Sequence, residues 1–275
     1  MGGPDAPTFL QGQFTNDLSK MSRGSSVYGL WLDRRGKVIG DSHVILAPHG
    51  GDYWIVSTCS RGAAIAEHLN DHIIADEVEV FDETPGWGGL ALLGDGAGAW
   101  LSSQPRAGFV FPGRRDSGEN WEWIHPAAQS GAAAEAVLGA RIATAEEMER
   151  LRILAAIPSV PADIGPSDLP NEGGLEDCAI SYSKGCYIGQ EVMARVKSLG
   201  RVRRKLVLVS GAGVPPALLS GLFQGERREG ELRSAAPSRG GFVGLALISV
   251  ASAAAGGPFS LGPGAEPSVQ IARQP

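Results

Sequence analysis

Between Lys184 and Glu191 the chain places a cation, a thiol, an amide and a carboxylate: Lys184-Gly185-Cys186-Tyr187-Ile188-Gly189-Gln190-Glu191. Gly185 and Gly189 bracket Cys186, a pattern that predicts a tight loop carrying the thiol. Beyond Gly189 the apolar residues Val192, Val196 and Leu199 recur at i, i+4 and i+7, the stripe of an amphipathic helix. Cys186 is therefore expected just ahead of a helix N-terminus. There the helix dipole and Lys184 would favour the thiolate, the form that acts as nucleophile or ligand. The competing reading is a buried packing cysteine, the usual state of a free thiol. Two glycines and a lysine beside it favour a functional thiol.

Three other stretches carry polar or charged groups in suggestive patterns. Phe9-Leu10-Gln11-Gly12-Gln13-Phe14-Thr15-Asn16-Asp17-Leu18 crowds polar side chains behind an apolar anchor. Thr15, Asn16 and Asp17 read either as the N-cap of a short helix or as the lining of a pocket. Asp41 interrupts the strand-like run Lys37 to Leu46, as a polar exposed face or as a catalytic carboxylate. Arg195, Lys197, Arg201, Arg203, Arg204 and Lys205 form a basic run without an acid between its ends. Such a run is either a solvated helix end or a site for an anionic partner, such as folate carboxylates or RNA phosphate.

These groups sit on 275 residues, enough for one large or two to three small domains. The net charge of −6 excludes a generally nucleic-acid-coating protein but leaves room for a local basic patch. Cys59, Cys178 and Cys186 are odd in number and form no CxxC pair, which argues against a disulfide framework. His68 and His72 share a helix face, and without a third ligand such a pair reads as a solvated surface, so no metal site is expected. The first residues, Met1-Gly2-Gly3-Pro4-Asp5, show no secretory pattern, and no apolar run is long enough to span a bilayer. The expectation is a reduced, cytoplasmic protein that does not enter a membrane.

The positioning elements follow from turn signals and periodicity. Ser26–Leu32 and Lys37–Leu46 read as a hairpin through Asp33-Arg34-Arg35-Gly36, and Tyr53–Ser57 as the next strand. Alternating strand and helix patterns follow: a helix at 61–74, strands at 78–82 and 89–94, a helix at 97–102, strands near 108–110 and 121–124, and a helix at 132–138. That order over residues 47–140 fits an α+β domain of ferredoxin-like kind. Thr144-Ala145-Glu146-Glu147 is a capping box that opens a helix stopped by Pro158. Leu206–Val209, Glu231–Ser234, Gly241–Ile248 and Ser268–Ile271, separated by Gly/Pro turns, read as a small all-β barrel or sandwich.

The octapeptide resembles the KGC(Y/F)xGQE signature of the YgfZ family, folate-binding proteins related to the aminomethyltransferase (T protein) of the glycine cleavage system. Gly3 to Leu10 resembles the family's GxDAxxFL segment and Gln11 to Asp17 its QGQxTND segment. The Glu146–Pro158 helix, the Pro170-Asn171-Glu172 step and Gly241-Phe242-Val243-Gly244 also correspond. A strand that usually precedes the GxDA segment is not found ahead of Gly3.

The resemblance implies an α+β fold of three domains in a ring around a folate channel. The first, discontinuous domain spans 1–46 and 141–200, the ferredoxin-like one 47–140, and the barrel 201–275. It implies tetrahydrofolate or a related folate as ligand, held by Gln13, Thr15, Asn16, Asp17, Tyr28, Arg152, Glu172, Lys184, Tyr187 and Gln190. Cys186 would act as the functional thiol, with Asp41 a weaker catalytic candidate. Arg195, Lys197, Arg201 and Arg203 would form the anion patch. The implied role is an accessory protein, rather than an enzyme, in iron–sulfur cluster assembly or repair. Its partners would be iron–sulfur clients or assembly proteins, including tRNA-modifying enzymes, with a weak tRNA contact. The alternative is a tetrahydrofolate-dependent aminomethyl or one-carbon transferase. Two departures bear on that alternative. Val38-Ile39-Gly40-Asp41 keeps one carboxylate where aminomethyltransferases carry adjacent acids. Leu154, in Leu151-Arg152-Ile153-Leu154-Ala155-Ala156, stands where they carry a pterin-binding Glu, a loss on the scale of about 1.5–3 kcal/mol.

Overall fold

The computed structural model describes residues 1–104, 106–200 and 202–272. In chain order the elements are α1 (Ala6–Gln13), β1 (Ser26–Leu32), β2 (Val38–Leu46), β3 (Tyr53–Val56), α2 (Gly62–Asn70), β4 (Trp87–Leu93) and α3 (Ala97–Ser103). There follow β5 (Phe109–Pro112), β6 (Asn120–Pro126), α4 (Ser130–Ala136), α5 (Ala145–Leu154), α6 (Glu176–Ala179) and α7 (Gln190–Leu199). The last are β7 (Arg204–Ala212), β8 (Gly221–Gln224), β9 (Arg227–Ser238), β10 (Gly241–Ser249), α8 (Val250–Ala255) and β11 (Val269–Ile271). They pack as two compact units, Met1–Asp82 with Ser159–Lys205, and Glu83–Pro158 with Leu206–Pro275.

The first unit is built on the antiparallel sheet β1-β2-β3. Asp33 and Gly36 close the β1–β2 turn, the Asp33 carboxylate accepting from the Arg35 and Lys37 amides at 2.8 Å each. Pro7 supports the start of α1, where a missing N–H costs nothing. Phe9, Leu10 and Phe14 from α1 and its exit bury with Trp31, Val44, Tyr53, Ile65 and Leu69. A fully buried apolar side chain of this size contributes about 1.5–3 kcal/mol. The room for Phe14 comes from Gly29, where a β-carbon would lie 2.6 Å from the ring.

The second unit holds two sheets. β4, β5 and β6 pair in the order β4-β6-β5, so β4-α3-β5 is a split βαβ with β6 inserted between its strands. The other sheet runs β11-β7-β10-β9-β8. Bridges from Phe223 to Ser260 and from Phe259 to Val269 join its two edge strands through the 259–260 segment, closing it on itself. Val209, Leu222, Leu232, Phe242, Ala246, Ile248, Phe259 and Val269 form one core. Residues of alternate facing, Leu208, Val243 and Leu245, pack on Ile153 of α5. The Thr144–Glu147 capping box that opens α5 is present in both directions.

Several expectations change. β3 and α2, within 47–140, belong to the first unit: Ile55 pairs with Val44 of β2, and Ile65 and Leu69 bury against Trp31. Helix α5, within 141–200, belongs to the second unit, because Ile153 packs on the closed sheet. Residues 78–82 make a single bridge, Gly2 to Glu79, rather than a strand. The 221–224 strand, with few apolar residues, carried too little alternation to be expected. Thr15, Asn16 and Asp17 lie past the C-terminal end of α1 and cap nothing.

His68 is buried edge-on to Trp31 and 4.7 Å from the ring of the half-buried His72, so His68 belongs to the core rather than to a solvated surface. Burial pulls its pKa down to about 4, with the neighbouring His72 adding to the effect. The unfolded chain takes up this proton near the ordinary pKa of 6.5, so acidification through 6.5 toward 4 favours unfolding. His68→Leu removes this step. Urea denaturation midpoints at pH 7, 5.5 and 4.5 should fall less steeply for the variant than for the wild type.

Candidate functional site

The signature loop is fastened to the segment that leaves α1. The Thr15 hydroxyl, fully buried, donates to the Ala179 carbonyl at 2.7 Å and accepts from the Leu30 amide at 2.8 Å. The Ser181 amide reaches the Thr15 carbonyl at 3.0 Å, and the Ile188 amide the Gly12 carbonyl at 3.1 Å. The Asn16 side-chain amide donates to the carbonyls of Tyr28 at 2.8 Å and Cys178 at 3.3 Å. Lys184 completes the joint: its buried ammonium donates to the carbonyls of Phe14 at 2.7 Å and Asn16 at 2.8 Å. It also sits 5.3 Å from the Tyr187 ring centre. Burial lowers its pKa to about 8, with Asp17 pulling the other way. Two of its donors are thus spent on backbone carbonyls.

Gly189 has φ +83°, and a β-carbon there would lie 2.9 Å from the Asp33 carbonyl. It stands at the N-cap of α7 and lets that helix start against the β1–β2 turn. Gly185 has no such constraint: among the described residues nothing lies within 4 Å of a β-carbon built on it. Met193 is the fully buried residue of α7, whereas Leu199, expected on the apolar stripe, is 65% exposed. The packing contact is local to Gly36, which a 3.6-residue period does not resolve.

Cys186 lies four residues ahead of Gln190, the first residue of α7, and its side chain is exposed. Cys59 and Cys178 are exposed free thiols as well. Tyr187 next to it is buried, which pushes its phenol pKa well up. Among the described residues, the Tyr187 hydroxyl and Gln13 Oε1 are buried with no hydrogen-bond partner. The same holds for Asn171 Oδ1 and Glu176 Oε2. Asn171 donates to the Tyr182 hydroxyl at 3.4 Å, and burial raises the pKa of both Glu176 and Tyr182. Glu176 and Tyr182 were missed as site residues. A lone acid opening a one-turn helix reads as surface, and only folding buries its oxygen.

The other candidates are spoken for internally. Asp17 accepts from the Ser19 amide at 3.0 Å and the Gln11 side chain at 2.8 Å, which holds its pKa down to about 2. Asp41 takes the Tyr28 hydroxyl at 3.0 Å on one oxygen and the Ser60 hydroxyl at 2.7 Å on the other. Both oxygens of buried Glu172 receive the Arg204 guanidinium at 3.0 Å, and Asp168 shares it at 3.0 Å. Gln190 is half-buried at the start of α7. Arg152 lies in the second unit, where Glu149, the Ile157 carbonyl and Ser234 take its donors. Leu154 packs there in the apolar cluster around Ile153. Of the basic residues, Arg195 and Arg203 are exposed, Lys197 lies 3.8 Å over the Tyr182 ring, and Arg201 falls outside the described residues. Among the described residues no group of three His, Cys, Asp or Glu side chains is placed to hold a metal ion. None of their helices is long and apolar enough to cross a membrane.

Residues 1–106 match the family of the GCVT N-terminal domain. The chain superposes on the aminomethyltransferase T of the Bartonella henselae glycine cleavage system with a TM-score of 0.80. That match covers 98% of this chain and 81% of that one at 21% identity. The fold is therefore that of the aminomethyltransferase T class. Over 241 residues the chain is 27% identical to the tRNA-modifying protein YgfZ of Vibrio atlanticus, covering 84% of this chain and 72% of that protein. It is 28% identical over 274 residues to the human mitochondrial iron–sulfur cluster assembly factor IBA57, covering 90% and 73%. Within that fold, its sequence is similar over most of its length to proteins named YgfZ.

The two glycines of the signature should behave differently. Gly189→Ala should lower stability by about 1–2 kcal/mol for its left-handed backbone alone, with the close Asp33 carbonyl adding to it. Gly185→Ala should leave the denaturation midpoint nearly unchanged. Chemical denaturation of the two variants separates them, and equal losses would contradict the packing described.

Proposed function

We propose that this protein is an accessory factor for iron–sulfur enzymes, tRNA-modifying ones included, that presents Cys186 as its functional thiol beside a folate-type pocket. The observation that carries the reading is the contrast around Cys186. The flanking residues Lys184, Tyr187 and Gly189 are buried or sterically fixed, and the thiol between them stays exposed. A thiol kept for packing would be buried with its neighbours. The names of the relatives, a tRNA-modifying protein and an iron–sulfur cluster assembly factor, support the same reading.

The residues present fit a folate. Gln13 Oε1, Asn171 Oδ1 and Glu176 Oε2 are acceptors, and the Tyr187 hydroxyl can donate or accept; each is buried and open to a partner. A pterin offers several N–H donors on one edge, which such acceptors would take up. Bound folate would supply one-carbon chemistry; the chain's own residues orient its ring and exclude water from those four groups. Thr15, Asn16, Asp17 and Lys184 shape the pocket rather than face a ligand, because their polar atoms are engaged within the protein. Glu176 adds a buried carboxyl oxygen to this set. A reducing compartment such as the cytoplasm keeps all three exposed cysteines as thiols.

The alternative, a one-carbon transferase with Asp41 as acid–base group, is less well supported, since hydroxyl donors hold both Asp41 oxygens. In cells lacking the protein, Cys186→Ala should keep its native melting temperature but fail to restore a dependent iron–sulfur enzyme, while Cys59→Ala restores it. Full restoration by Cys186→Ala would contradict the proposal. In calorimetric titration, Gln13→Leu should weaken tetrahydrofolate binding about tenfold, the loss of one buried hydrogen bond.

A further inference from the structure

Six exposed cations stand on three neighbouring segments of the first unit. Arg34 and Arg35 are exposed on the β1–β2 turn, Arg195 and Lys197 on α7, and Arg203 and Lys205 at the start of β7. Two sets of contacts gather these three segments. The start of α7 rests on the turn, since β-carbons at Gly36 would lie 2.9 Å from Met193 and at Gly189 2.9 Å from the Asp33 carbonyl. The turn and β7 also share an anchor. The Lys37 ammonium bonds the Ser167 carbonyl at 2.9 Å, and Arg204 bonds the adjacent Asp168 at 3.0 Å.

Arg204 is committed to Asp168 and Glu172, while Lys205, its neighbour in β7, and Arg203, just ahead of the strand, are exposed. Among the described residues none of the six exposed cations forms an ion pair, and only Lys197 has a partner, the Tyr182 ring. The acids beside them are few. Asp33 is turned to the Arg35 and Lys37 amides, Glu191 lies in the first turn of α7, and Glu176 and Asp177 lie near Tyr182. Holding six cations together on a chain of net charge −6 is a cost that an unused surface would not carry.

We infer that this face binds the phosphodiester backbone of a nucleic acid. Four of the six cations are arginines, whose planar fork matches phosphate oxygens. A protein partner would call for an apolar, desolvated centre, whereas these segments expose six cations against one large apolar side chain, Leu199. The inference does not depend on Cys186 or on folate.

The test is fluorescence anisotropy of the full chain with a labelled tRNA transcript and with duplex DNA of similar length, between about 50 and 200 mM salt. Binding should weaken steeply with salt, with a slope of about −0.7 to −0.9 per phosphate contacted. Arg34→Glu with Arg35→Glu, and separately Arg195→Glu with Arg203→Glu, should each lower affinity at least tenfold and flatten that slope. The same positions changed to Gln should show a smaller loss. Lys20→Glu with Arg61→Glu alters the net charge equally, away from these segments, and should change little. Tighter binding of tRNA than of duplex DNA identifies RNA as the source of the backbone. Equal binding through the same residues keeps the phosphodiester assignment for both. No binding at the lowest salt, equal loss in the control pair, or displacement of tRNA by polyglutamate as readily as by unlabelled tRNA would overturn it; the last outcome would indicate an acidic protein.

Discussion

The first unit depends on one buried ammonium. Lys184 spends its charge on the carbonyls of Phe14 and Asn16, in a place where burial costs the charged form enough to lower its pKa to about 8. A charged group is kept in such surroundings only when its hydrogen bonds offset the desolvation. Here the same bonds satisfy two backbone carbonyls of the segment that leaves α1. Thr15 and Asn16 continue the joint toward Ala179, Cys178, Leu30 and Tyr28. The result is a signature loop whose backbone is determined on the side facing the core.

That determination explains why the polar residues near Cys186 fall into two groups. Those whose atoms close the joint are satisfied: Thr15, Asn16, Asp17 and Lys184. Those left over, Gln13, Asn171, Glu176 and Tyr187, keep buried oxygens open to a partner. A buried polar atom without a partner costs about 1–3 kcal/mol, so a ligand that supplies donors gains by binding there. The thiol belongs to neither group, being outside the joint and exposed. Fixed surroundings and a free reactive group suit a handle that meets other molecules.

Much of this was legible in the residues themselves. The Asp33–Gly36 turn fixed the first hairpin, and Thr144–Glu147 opened α5 where it stands. What was not legible depends on contacts between distant segments. Lys184 reads as a cation for a neighbouring thiol, because nothing local shows that two carbonyls about 170 residues away will claim it. His68 reads as surface until Trp31 is packed against it, and Met193 is hidden from a helical period whose buried point is set by Gly36. Arg152 looks like a site residue by its place in a motif, and its donors go to Glu149, the Ile157 carbonyl and Ser234. Local periodicity reports elements well, whereas the use of a polar side chain is decided by whichever backbone group folding brings within about 3 Å.

Amide hydrogen exchange on the wild type and on Lys184→Met tests the central claim most directly. If the buried ammonium holds the joint, the Leu30, Ser181 and Ile188 amides should exchange much faster in the variant, while the β9–β10 amides of the second unit keep their protection. Unchanged protection at those three amides would contradict the account.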